Sequence, residues 1–354
     1  MAGSADLKKI LSFYKELSFS DRAAFYATVS NDLCVTDDNL QSFLIETRIT
    51  GEQGCIYCGS SHVVKNGTRK DGTQRFLCRD CKKSFLPTSK SVTSRTRKRL
   101  SVWVSCLKCM LDKKTLRETA EECRISMSTA FLWRHKILDG LHEMAENVYL
   151  DGIVEADETF FNVSYKGNHK HFSMPREPHK RGNAVHTRGS SSEKVCVPCA
   201  VSDAGLSYAK PAKLGKVSSE CISKVFGGVI SPCATLCTDN EKAYIRFASD
   251  SKINLVQMDT DCRTSVRPGA NYGVQRINAC HSRLKGFLQR FRGISTKYLE
   301  NYLVWNELLE NNRRNREETL SLMLSQVLTV RMAVRNRDIA MRPPLPGINA
   351  AVAL

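Results

Sequence analysis

Several things are missing from this sequence. No stretch of about eighteen consecutive apolar residues occurs in its 354 positions, so no membrane-spanning helix is expected. The opening "MAGSADLKKILSFYKEL" lacks the unbroken apolar run of a secretory leader. Lys8 and Lys9 interrupt it, and Leu7, Ile10, Leu11, Tyr14 and Leu17 share one helical face instead. A reducing compartment is the expected home, where 15 cysteines read as metal ligands or small core residues rather than disulfides. Acid is absent from two blocks: Lys82 to Leu100 holds seven Lys or Arg, and Arg276 to Lys297 holds six, with no Asp or Glu in either. Overall 53 basic residues face 36 acidic ones, a formal charge of +17. Blocks of this kind suit a polyanion, and nucleic acid is favoured over a membrane because no apolar anchor accompanies them. No internal repeat is visible, so a repeat architecture is excluded.

The length exceeds one ordinary core, so several modules are expected. Residues 1–50 read as an N-terminal helical region. Residues 51–88 form a small module rich in Gly, Cys and charge, with turn signals at Asn66-Gly67 and Asp71-Gly72. Residues 89–148 comprise a basic linker and a helical segment, 149–315 an alternation of strands and helices, and 316–354 a C-terminal helix and flexible tail. In the long region the strand candidates are "GIVEADETFF", "KVCVPCAVS", "LSYAKPA", "CATLCTD" and "INLVQMD". Helices are expected at 217–226, 241–249, 275–291 and 295–315. The whole is a multidomain α/β chain whose largest part is a layered α/β domain.

Cys55-x2-Cys58, nineteen intervening residues and Cys78-x2-Cys81 match a four-cysteine zinc site. Two knuckles supply four thiolates to tetrahedral Zn²⁺, and hairpins this small cannot bury a core without the metal. Four protein ligands leave no open position, so the zinc is expected to be structural. Two other CxxC pairs read as core: Cys106 and Cys109 on one face of a helix, Cys196 and Cys199 within a strand.

"TLRETAEECRISMSTAFLWRHKIL" offers a helix at 115–122, a turn at Arg124 and Ile125, and a second helix from about Ser126. Ala120 is small where the helices approach, and Leu116, Ile125, Leu132 and Ile137 can share a core. In a helix-turn-helix, Ser126, Ser128, Thr129 and Arg134 would face a groove or phosphates. A plain helical hairpin fits the same pattern. The neighbouring cations Arg95, Arg97, Lys98 and Arg99, with Lys180 and Arg181 in a later basic loop and Arg283 in the second acid-free block, complete the DNA-facing candidates.

"IVEADETFF" places Glu155 and Asp157 on one strand face with Glu158 opposite, and "TLCTDNEKAY" ends an apolar run on Asp239. Carboxylates at strand ends, in a chain with surplus cations, are candidate Mg²⁺ ligands. Two ions held about 4 Å apart can activate water and stabilise the departing oxygen of a phosphodiester. Farther on, "INACHSRLKGF" carries Asn278, His281 and Lys285 at helical spacing.

In this order the zinc ribbon, the helix pair, "VEADETFF", "VCVPCAVSDAG", "LCTDNEKAY" and "INACHSRLKGFLQRFRGISTKYLENYL" resemble the zinc-ribbon insertion-sequence transposases of the DDE superfamily, of the ISXO2-like type, over about 51–315. The resemblance implies a ribonuclease H-like catalytic domain with a mixed sheet, and metal-dependent phosphoryl transfer on DNA. The family's triad is Asp, Asp and then Glu or Asn, with Lys seven residues on. That carries over to Asp157, Asp239, Asn278 and Lys285. Here the third position is an amide, which brings an oxygen but no charge, so more falls on the two aspartates. Lys285 would hold a phosphate. His281 would bind DNA, orient a water or replace Asn278.

The resemblance implies two Mg²⁺ ions (or Mn²⁺) besides structural zinc. It further implies binding to the element's terminal repeats and to target DNA, a homodimer or larger assembly, and a prokaryotic cytoplasm with the nucleoid as workplace. The loop 166–194 would clamp DNA beside Asp157. Two rivals stand beside this reading: a domesticated DNA-binding protein without activity, and a Mg²⁺-dependent nuclease without strand transfer.

Overall fold

The computed structural model describes residues 18, 21–22, 37–50, 54–167, 194–258, 272–313 and 315–344. The expected amphipathic helix at the N-terminus, nearly all of the 166–194 loop with Lys180 and Arg181, and the final tail lie outside the described residues. In chain order the first elements are α1 (Asp37–Ile45), β1 (Val63–Thr68), β2 (Gln74–Cys78), β3 (Ser84–Phe85), α2 (Leu100–Leu111), α3 (Leu116–Glu122) and α4 (Met127–Glu146). There follow β4 (Ile153–Asn162), β5 (Lys194–Ser202), β6 (Ser207–Ala209), β7 (Lys213–Leu214), α5 (Ser219–Phe226), β8 (Thr235–Thr238), α6 (Lys242–Ser251) and β9 (Asn254–Gln257). The last are α7 (Gln275–Gln289), α8 (Leu299–Asn311), α9 (Arg316–Thr329) and α10 (Asn336–Ala340). The chain divides into two compact units, 1–141 with 312–335 and 142–311 with 336–354. Among the described residues no helix is long and apolar enough to cross a membrane.

In the first unit β1, β2 and β3 form an antiparallel sheet. The Asp71-Gly72 turn is closed by the Thr73 N–H donating to Asp71 Oδ1 at 3.0 Å, with Gly72 at φ 81°, a conformation that favours glycine. The sheet brings Cys55, Cys58, Cys78 and Cys81 together with all four Sγ atoms within 4.8 Å. Cys55 to Cys81 and Cys58 to Cys78 are each 3.7 Å apart. A tetrahedron of thiolates at about 2.3 Å from zinc has edges of about 3.8 Å, so the cluster fits a structural zinc.

Beyond the ribbon, Thr115 opens α3 with a capping box shared with Glu118. α4 follows after a short turn in which Arg124 takes φ 49°. Trp103 of α2 stacks on Trp133 of α4 with ring centroids 3.8 Å apart. Ala120 and Ile137 are buried as expected, whereas Leu116, Ile125 and Leu132 are half-buried. α9, capped by Asn315, packs on α2 within this unit.

The second unit holds a mixed sheet ordered β6-β5-β4-β8-β9, with β7 also on β5. β4 pairs antiparallel with β5 and parallel with β8, and β9 continues parallel to β8. This is the expected ribonuclease H-like domain. β5 coincides with "KVCVPCAVS", and Cys196 and Cys199 are fully buried in it. "LSYAKPA" forms not one strand but β6 and the start of a break before β7, because Pro211 has no N–H to give the ladder. Glu307 and Asn311 of α8 reach the backbone of β6: Ala209 N–H donates to Glu307 Oε1, and Ser207 N–H to Asn311 Oδ1 at 2.8 Å. The core lies between sheet and helices around Val154, Leu236, Phe226, Tyr244 and Phe247.

Candidate active site

The parallel register of β4 and β8 pairs Val154 with Leu236 and Glu155 with Cys237. Continued two residues, this register sets Asp157, in the middle of β4, toward Asp239, which lies just past the carboxyl end of β8, and the Asp239 charge acts on the Asp157 carboxyl. Asp157 Oδ1 accepts the Glu158 N–H at 2.8 Å. Burial pushes the Asp157 carboxyl up to about 6, and the Asp239 charge adds to this, while the Glu158 N–H and Lys285 pull the other way. Asp239 follows β8 directly. Its Oδ1 accepts the Glu241 N–H at 3.1 Å where α6 begins, and its backbone oxygen accepts from Gln257 Nε2 at 3.2 Å.

α7 lies against β4 and β5 because Ile277, Cys280, His281, Leu284, Phe287 and Leu288 form its buried face. The polar stripe of the sequence is therefore split: His281 is buried, and Asn278 and Lys285 are exposed. His281 Nδ1 is 3.8 Å from Asp157 Oδ2. Burial and then the Lys285 charge hold the imidazole down at about 4, against a smaller opposing effect from Asp157. His281 is thus neutral near pH 7, so this contact is neither an ion pair nor, at its length, a hydrogen bond. Its Nε2 is buried without a hydrogen-bond partner.

Glu158 turns to the other face of β4, toward Tyr244 of α6. Burial raises it to about 7, with Asp157, Asp239 and Glu241 adding to the effect and the nearby Tyr244 hydroxyl opposing it. Neither Glu158 Oε1 nor that hydroxyl forms a well-aligned hydrogen bond. Asp157 and Asp239 offer hard oxygen donors of the kind that suit a divalent cation, while among the described residues the four cysteines are the group of three or more such side chains that converges within 4.8 Å. Glu155, two residues before Asp157, has a different role that its spacing alone did not reveal. It accepts from Arg276 Nη1 at 3.1 Å and from the Ile277 N–H at 3.0 Å.

The DNA-facing candidates divide. Arg95, Arg97, Lys98 and Arg99 are exposed, with Arg99 Nε 3.8 Å from Asp37. Ser128 is exposed; Ser126 Oγ instead accepts the Thr129 N–H at 3.1 Å and lies 2.8 Å from Thr129 Oγ1, a helix cap. Arg134, expected to face a groove, is buried and donates to Lys114 O at 2.7 Å and Thr119 Oγ1 at 3.2 Å. Its place between Ala130 and Leu138, both four residues away, was the signal for a core-facing position. Arg283 pairs with Glu310 at 2.7 Å.

The mixed sheet in the order β6-β5-β4-β8-β9 is that of a ribonuclease H-like fold. Residues 149–307 match the family described as the ISXO2-like transposase domain. A relative from Halobacterium salinarum, described as an uncharacterized protein in transposable element ISH50, is 24% identical over 304 residues, 83% of this chain and 98% of its own. Among solved structures, the Mos1 mariner paired end complex with Mn is similar at 12% identity and a TM-score of 0.22, over 61% of this chain and 77% of that one. A pre-cleavage Mos1 transpososome follows at 10% and 0.21, over 90% and 99%. Superpositions this loose carry no weight for the chemistry.

Proposed function

We propose that the protein is a DDE-type DNA transposase that binds the terminal inverted repeats of its element and catalyses Mg²⁺-dependent strand cleavage and strand transfer. The observation that carries this reading is the parallel pairing of β4 with β8, whose register runs toward Asp157 and Asp239, with the charges of Asp239 and of Lys285 on α7 both acting on the Asp157 carboxyl. Asp157 and Asp239 hold the cations, and the Asn278 amide oxygen completes the set without adding charge. When bound, Mg²⁺ or Mn²⁺ supplies Lewis-acid chemistry, making a nucleophile of water or of a 3′-hydroxyl and neutralising charge on the phosphate. Lys285, exposed on α7, receives a phosphate of the strand being cut. His281, neutral and in reach of Asp157, orients a water or the DNA backbone rather than supplying charge.

The zinc ribbon, the basic linker with Arg95, Arg97, Lys98 and Arg99, and the helix-turn-helix bind element ends, with Ser128 the exposed candidate for groove contact. The loop with Lys180 and Arg181 clamps DNA beside the site. Two element ends must meet for joining, so the working form is a homodimer or larger assembly on nucleoid DNA in a prokaryotic cytoplasm.

The test is incubation of end DNA and a target plasmid with Mg²⁺, comparing wild type with Asp157→Ala, Asn278→Ala and His281→Ala. Joined product from wild type and none from Asp157→Ala is expected. Cleavage without joining would leave a nuclease, and Mg²⁺-independent binding alone a domesticated DNA-binding protein. If Asn278→Ala retained full activity while His281→Ala lost it, the third site position would pass to His281.

A further inference from the structure

We infer that Glu155 is a positioning residue that sets the register of α7 against β4, and with it the reach of Asn278 and Lys285 relative to Asp157; the catalytic part of this inference rests on the transposase reading above. The first N–H groups of any helix lack intrahelical partners. Val274, which precedes α7, has no side chain able to accept from them, and no side-chain cap is made. The Ile277 N–H is at a buried position, where an unsatisfied donor is costly. Glu155, only 2% exposed, answers this from another element. One carboxylate oxygen takes the Ile277 N–H at 3.0 Å and the other takes Arg276 Nη1 at 3.1 Å. A buried carboxylate is tolerable when paired and hydrogen-bonded, and its charge suits the positive end of the helix.

The spacing turns this cap into a gauge. Glu155 meets Ile277, and Asp157 faces His281. Two strand residues advance about 6.7 Å, and four helical residues about 6 Å. Strand and helix therefore run in the same sense with their two points of contact nearly matched. A slip of one helical turn would move every α7 side chain by about 5.4 Å, beyond the reach of any ligand atom. Asn278 is the residue next to the anchored amide, and Lys285 lies two turns further on, so both inherit their position from Glu155.

The experiment uses the full-length protein as wild type, Glu155→Ala, Glu155→Gln and Asp157→Ala. Amide hydrogen exchange is read over 275–289, and end-DNA cleavage is read against Mg²⁺ concentration. Glu155→Ala should raise exchange in the first turn of α7 by roughly tenfold or more with β4 and β8 unchanged, cut the cleavage rate on the order of 100-fold and shift half-saturation to higher Mg²⁺. Glu155→Gln keeps an oxygen for the Ile277 N–H and should recover most of both. Unchanged exchange over 275–289 in Glu155→Ala would overturn the anchor. Loss of protection throughout the domain, equal in Ala and Gln variants, would reduce Glu155 to a general stability role and overturn the positioning claim. If wild type did not cleave, or Asp157→Ala cleaved like it, the transposase reading would fail. The exchange data would still decide whether Glu155 sets the helix.

Discussion

The ribbon buries Ile49, Cys55, Ile56, Phe76, Cys78 and Phe85, two of which are cysteines of the metal cluster. The sheet domain buries a cluster more than three times as large, including Phe226, Tyr244 and Phe247, with its cysteines acting only as small core residues. The same residue type therefore serves two ends. In the ribbon the Sγ atoms converge within 4.8 Å and order depends on what closes them; in the sheet order comes from area removed from water. A metal can replace a hydrophobic core only where ligands converge, and that difference can be broken from either side.

The largest effect should come from removing zinc. Structural zinc is worth about 10–16 kcal/mol in small domains. A strong chelator, or Cys78→Ser, should abolish hydrogen-exchange protection over 54–85 while β4, β5 and β8 stay protected. Equal protection with and without metal would end the contrast. The reverse cut is Phe247→Ala, expected to cost the sheet domain about 3–5 kcal/mol in chemical denaturation while leaving one zinc per chain by elemental analysis. Arg134→Ala tests the part of the first unit that lacks metal. It removes the donor to Lys114 O and Thr119 Oγ1, so a loss of about 1–3 kcal/mol is expected, with DNA affinity falling only as the fold does. Ser128→Ala should behave oppositely, weakening DNA binding in a titration without lowering the melting temperature.

The smallest effect concerns Glu307. Burial holds its carboxyl well above the usual range, against the Ala209 N–H and Lys210, which favour the ionised form. A raised folded value means that stability is intact below the unfolded pKa of about 4.5 and is lost as pH climbs through the folded value. Glu307→Gln keeps an oxygen for Ala209 and cannot ionise. It should match wild type near pH 4 and exceed it on the order of 1 kcal/mol at pH 8, read by urea unfolding at both pH values. A variant no more stable at pH 8 than wild type would show that Glu307 is not strained by its charge.

Much of this was legible because it is local. The cysteine spacing, the Asp71-Gly72 turn and the strand and helix candidates of the long region all depend on residues within a few positions of one another, whereas Asn66-Gly67, read as a turn, lies inside β1 at a break in its register with β2. Register added the next layer: Asp239 follows an apolar run at the end of β8 as expected, whereas Asp157, expected at a strand end, lies in the middle of β4 because that strand runs on to Asn162. What escaped depends on distant partners. Arg134 is a cation that donates to Lys114 and Thr119 of the preceding turn and helix, and α9 packs on α2 more than two hundred residues earlier. His281 and Asn278 share a stripe in the sequence but not an environment, because the packing of α7 submerges one and leaves the other in water.

The outer edge of β6 bears on assembly. Sheet edges are where proteins add strands from other copies of themselves. Here the Ala209 and Ser207 amides are already given to Glu307 and Asn311, and Asn311 Nδ2 returns a hydrogen bond to Ser207 O at 3.0 Å. An incoming strand would find these groups occupied by side chains of the protein's own helix. Along β6, a strand from outside could pair only by first displacing those side chains.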